Sequence, residues 1–155
     1  VEQYNFAVDV ASFVKQTIED ADDVVRRVIS QTAFSVIDEA PSPVGDPSTW
    51  SYPAPPDYTP GHFLLNWQLG VDNVPTNELN SEDPDRANAL IRIGAQIPAK
   101  SAGHDYYLVN NASYARALED GHSDQCPPRG MVERTSMKFE SIVDHAVLGA
   151  SKSNK

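Results

Sequence analysis

The chain has a single cysteine, Cys126, in 155 residues. It therefore makes no internal disulfide, in keeping with assembly in a reducing cytoplasm. Basic residues are scarce: 12 Lys and Arg stand against 22 Asp and Glu, for a formal net charge of -10. Proteins that grip nucleic acid by its backbone need Lys and Arg to displace counterions, so that class is excluded. An acidic wall around DNA is not excluded, because it repels phosphate and leaves it nothing to hold. No run approaches the ~20 apolar residues of a membrane span. Val1-Glu2-Gln3-Tyr4 lacks the basic-then-apolar layout expected of a secretory signal. There is no internal repeat and no heptad array long enough for a coiled coil.

Patterns that carry chemistry are also missing. Glycine is limited to 8 residues, with no phosphate-cradling loop. His62, His104, His122 and His145 lie far apart, without the helical His-x-x-x-His or Glu-x-x-His spacing that holds zinc. No Gly-x-Ser-x-Gly elbow surrounds a serine. A small hydrolase using Cys126 with His122 or Asp124 is the enzymatic alternative. Sequence neighbours seldom form a thiol–imidazole pair, and a loop cysteine is usually unreactive. The expectation is a chain that is not an enzyme, with no metal and no cofactor. A monomeric binding module, using an aromatic loop as its site, is the other alternative.

What is present fits one domain over residues 1–155. Residues 8–37 read as one long helix. Val10, Phe13, Val14, Thr17, Ile18, Ala21, Val24, Val25, Val28, Ile29 and Ala33 recur at three- and four-residue steps. Such a helix is about 45 Å long, more than a domain of this size needs for its own core, so one end is free to pack on a neighbour. Pro41 and Pro43 end it. Residues 41–60 form a Pro-rich arm that cannot be helical. Its Trp50, Tyr52 and Tyr58 are too large and apolar for a solvated linker. Residues 61–150 carry the sheet and remaining helices. His62 to Val71 reads as a strand with Phe63, Leu65, Trp67 and Leu69 on one side. Ser81 or Asp83 caps a helix with Pro84 in its first turn, running to Pro98. Asp105 to Asn110 is a second strand, Ser113 caps a short turn through Leu118, and a C-terminal helix follows Pro127-Pro128. Residues 151–155 read as a frayed tail. The order gives an α+β fold: a long N-terminal helix and a C-terminal helix packed on a small, mostly antiparallel sheet, with a Pro-rich extended arm. So few strands leave open sheet edges, which an oligomer can cover.

The most distinctive stretch runs Val109-Asn110-Asn111-Ala112-Ser113-Tyr114-Ala115-Arg116-Ala117-Leu118-Glu119-Asp120-Gly121, then Gln125-Cys126-Pro127-Pro128-Arg129-Gly130-Met131-Val132. A second block is Ser42-Pro43-Val44-Gly45-Asp46-Pro47 with Gly61-His62-Phe63-Leu64-Leu65-Asn66-Trp67-Gln68. In these ordered blocks the chain resembles the tail-completion, or head-to-tail joining, proteins of tailed phages. The resemblance runs from about Val8 to Ala150. His62 stands where that family commonly has a basic residue, and Cys126 where a small one is common.

The resemblance implies a structural virion protein of the phage neck, assembled in the host cytoplasm. Identical subunits would form a ring between the portal and adaptor proteins on the head side and the tail tube protein on the tail side. DNA would pass through the lumen without specific binding, and no membrane would be involved. A head-closure or adaptor protein of the same neck is the nearest alternative. Trp50, Tyr52, Tyr58, Arg116, Glu119 and Arg129 are the candidate subunit-interface residues. Trp67, Tyr114, Gly121, Gly130 and Met131 are the structural motif: a core tryptophan, a packed tyrosine, two turn glycines and the opening of the last helix. Glu119 keeps two readings, a solvated glutamate or an acid in a rigid turn pairing with a neighbour's Arg129 or Arg116.

Overall fold

The computed structural model describes residues 6–40, 42–51, 53–122 and 130–153. Helix α1 spans Phe6–Phe34 and continues as a π-helical turn over Ser35–Glu39. There the Ala40 amide bonds Ser35 O, and the Ser42 amide bonds Ile37 O, each five residues back. This widened turn accommodates one residue more than an α-helix and buries Ser35, Val36 and Ile37 in succession. The remaining elements are α2 (His62–Leu65), β1 (Trp67–Val71), α3 (Arg86–Gln96), β2 (Tyr106–Asn110), α4 (Ala115–Glu119) and α5 (Met131–Ser153).

The two strands pair antiparallel, with Trp67 opposite Asn110 and Val71 opposite Tyr106. The expected α+β architecture is present: α1 and α5 flank a two-stranded antiparallel sheet. α5 runs antiparallel to α1, with Thr135 Oγ1 bonded to Ser35 Oγ at 2.9 Å and Gly149 packed beside Arg27. Ile37, Leu64, Trp67, Ile93 and Met131 fill the core between α1, α3, α5 and the sheet.

Four local expectations are corrected. The strand begins at Trp67, because residues 62–65 form a helical turn entered through Gly61 at φ 76°. A Cβ on Gly61 would sit 2.2 Å from the Asp83 backbone, so only glycine fits. α3 is capped by Asp85, whose carboxylate accepts from the Ala87 amide at 2.8 Å, and not by Ser81 or Asp83. Asp83 instead pairs with Arg92. Ser113 does not cap α4, which has no side-chain cap. Finally, α5 holds its hydrogen bonding through Ser153, past the expected fraying point.

One buried group ties the elements together. The Ser42 hydroxyl donates to Val36 O at 2.7 Å and accepts from the Trp67 indole at 2.9 Å. The Met131 sulfur lies 3.4 Å from the same oxygen. Ser42, Trp67 and Met131 are all at most 2% exposed. Two arginines of α3 complete the frame. Arg86 donates to Ile37 O and Ser42 O, and Arg92 donates to Leu64 O and Leu65 O. Each satisfies carbonyls that a helix end would otherwise leave orphaned.

Ser42→Ala is expected to cost about 1–3 kcal/mol, because it strands a buried indole N–H. Urea unfolding of the variant against the parent measures this, and a change within error would show that the bond carries no stability.

Candidate functional site

The structure separates the candidate interface residues into different places. Tyr52 and Arg129 lie outside the described residues, as do Cys126 and Asp124. Trp50 and Tyr58 meet each other, with ring centroids 4.7 Å apart in an edge-to-face arrangement. The Tyr58 hydroxyl donates to Gly45 O at 2.6 Å, and the Gly61 amide bonds Val44 O at 3.0 Å. The Pro-rich segment therefore doubles back into a loop with closed ends, fastened by its own aromatics. Both rings remain half-buried.

Glu119 is taken up inside the chain. One carboxylate oxygen accepts from the Met131 and Val132 amides at 2.8 and 3.1 Å, and the other from the Glu133 amide at 2.9 Å. These are the donors that an α-helix leaves unsatisfied at its start, and the charge complements the helix dipole. Gly130, at φ 70°, permits this approach; a Cβ there would lie 2.3 Å from the Glu119 carboxyl carbon. The Leu-Glu-x-Gly turn and the Gly-Met-Val segment are thus two halves of one capping device. Gly121, at φ 83°, takes the left-handed conformation expected of it. Arg116 is highly exposed and pairs with Asp120, 3.0 Å away on its own turn.

Tyr114 sits at the edge of a polar pocket of about 250 Å³ that also includes Tyr58, His62 and Glu78. Its ring stacks at a tilt against His62 and Phe63, with centroids 5.9 and 6.1 Å away. Burial, then the neighbouring Tyr58 and Glu78, push its hydroxyl up to about 12. Glu78 accepts from the Ser113 amide and bonds His62 Nε2, both at 2.9 Å. The hydrogen bond from His62, followed by that from Ser113, holds the Glu78 carboxyl below its ordinary range. Residues 77–79 are fastened from the other side by Asn66, whose amide makes both bonds a strand partner would, to Leu79 N at 2.8 Å and Leu79 O at 3.0 Å. Asn66 is fully buried. Its polar amide in the apolar run Phe63–Trp67 was the available signal, but read as a strand it pointed the wrong way. Among the described residues, no group of three or more His, Cys, Asp or Glu is placed to hold a metal ion.

The largest unpartnered feature is on α1. Every described side chain from Val10 to Glu19 is exposed. Phe13 is 72% and Ile18 54% exposed, with Val10 and Val14 beside them. Toward its C-terminal half the same helix borders an apolar trough of about 490 Å³, walled by Leu69 and Leu108 of the sheet and Phe139 of α5. Isolated exposed apolar residues are ordinary, whereas a contiguous stripe marks an interaction surface. Among the described residues, no helix is long and apolar enough to cross a membrane.

Glu119→Ala is expected to lose about 0.5–2 kcal/mol through the start of α5, and Glu119→Gln less. Hydrogen exchange at the Met131, Val132 and Glu133 amides locates the loss. The Glu78 contact has a defined pH dependence. Because the folded carboxyl is depressed, its contribution is present above the unfolded pKa and disappears as pH falls through the folded one. The Ser113 amide resonance should therefore titrate below the ordinary glutamate midpoint, and Glu78→Gln should abolish that titration. The chain matches no family model, and no curated protein or solved structure matches it.

Proposed function

We propose that this chain is a structural subunit of a tailed-phage neck, closing with identical copies into a ring that completes the tail and joins it to the head connector. The observation that carries the reading is the apolar face of α1 from Val10 to Ile18, exposed in the single chain. A surface of that kind is costly to leave in water and is covered when copies associate through two different patches, the heterologous contact that closes a ring. The two-stranded sheet adds open edges of the sort that assembly protects.

The ordered blocks from Ser42 and from Val109 support the same reading through their resemblance to tail-completion proteins. Their residues serve the framework: Ser42, Trp67 and Met131 meet at one hydroxyl, while Glu119 and Gly130 form one cap. On this proposal the ring sits between portal and adaptor proteins on the head side and the tail tube on the other. Its acidic excess, turned to the lumen, lets DNA slide without being held.

In purified tailed particles, gold-labelled antibody to this chain is expected to mark the head–tail junction only. Its absence from particles would overturn the proposal. The isolated protein should also leave duplex DNA unshifted in a gel at low salt, where any phosphate grip is strongest.

A further inference from the structure

We propose that the exposed start of α1 in one copy seats in the apolar trough of the next copy, head to tail. The occupant is thus a second copy of this chain. The inference deepens the neck-ring reading and rests on it for the setting in which copies meet.

The two surfaces match in pattern. The exposed stripe comprises Val10, Phe13, Val14, Thr17, Ile18 and Ala21. Eleven residues further on, the same spacing gives Ala21, Val24, Val25, Val28, Ile29 and Thr32. The last five of these are the residues through which α1 lines the trough. An eleven-residue step is close to three full helical turns, so both sets occupy the same face of α1. Each spans about 18 Å along the axis. A parallel stagger of eleven residues sets Phe13 beside Val24, Val14 beside Val25, Thr17 beside Val28 and Ile18 beside Ile29. No polar-charged residue enters the seam.

Charge decides the direction. The competing arrangement is an antiparallel pair with its twofold at Ala21. It covers the same apolar residues but sets Asp20 opposite Asp22 and Glu19 opposite Asp23, four acids of each copy against four of the other. Like charges directly across a contact oppose it. The parallel stagger instead brings Glu19 within one turn of the neighbour's Arg26 and Arg27, and Lys15 within one turn of its Asp22 and Asp23. Because the stripe and the trough are different surfaces, each copy offers one to either side, and the contact propagates around a closed assembly.

Disulfide trapping tests the register in a Cys126→Ser background, with copper phenanthroline as oxidant. Phe13→Cys protein mixed with Val24→Cys protein should give the mixed dimer. A chain carrying both substitutions should give a ladder beyond dimer, whereas Ala21→Cys alone should stay monomeric. A strong Ala21→Cys dimer would overturn the proposal in favour of the antiparallel pair. No cross-link from any of the three at high protein concentration would also overturn it. Ile18→Glu, at an exposed position that leaves folding intact by circular dichroism, should raise the concentration needed for association about tenfold or more. An unchanged midpoint would count against the seam. The two readings fail separately: particles that contain the chain at the junction yet give no Phe13–Val24 link keep the neck assignment and lose this contact. A ladder from a chain absent from particles does the reverse.

Discussion

An indole N–H buried without a partner is costly, and in this fold Trp67 finds its partner in a single serine hydroxyl. That hydroxyl reaches back to the carbonyl of Val36 in the π-helical turn and lies against the sulfur of Met131 at the start of α5. The end of the first helix, the first strand and the opening of the last helix are therefore fixed to one oxygen. Everything else is arranged around this point. Arg86 locks the carbonyl of Ser42 itself, and the Ser35–Thr135 bond repeats the linkage one turn along the same helix pair. Apolar burial alone would allow these elements to slide; directional bonds among fully buried groups set the register.

The division of labour follows. Conserving space at Gly61 and Gly130 and supplying the cap from Glu119 are matters of internal architecture, and they use up the residues that look most distinctive in the sequence. The surface left for partners is plain by comparison, being aliphatic and aromatic side chains on the free portion of α1. A protein whose work is mechanical has this economy: its polar chemistry is spent on holding its own shape, and association draws on apolar area.

Much of the fold was legible from periodicity. The long helix, the second strand and the C-terminal helix carry unbroken patterns, and Pro41 and Pro43 marked the end of α1 correctly. The start of β1 was not legible, because Phe63, Leu65 and Trp67 alternate as a strand would, while the left-handed Gly61 and its contact with Asp83 force a helical turn first. The cap of α3 was misplaced by two residues, since Ser81, Asp83 and Asp85 are equally good caps by type and only the tie between Asp83 and Arg92 distinguishes them. The roles of Asn66 and Glu119 depend on partners 12 or more residues away, which local spacing does not encode. The free stripe on α1 was visible as excess helix length, but which end lacked a cover required the position of α5.

The widened turn at Ser35–Glu39 has a consequence for how this sequence can vary. It absorbs a single surplus residue between a segment facing outward and a segment facing the interior. Deleting one residue there would restore an ordinary α-helical pitch and rotate all that follows by about 100°. Single-residue gaps in that window would therefore be poorly tolerated, whereas a change of whole turns nearer the free end would alter reach without disturbing the interior.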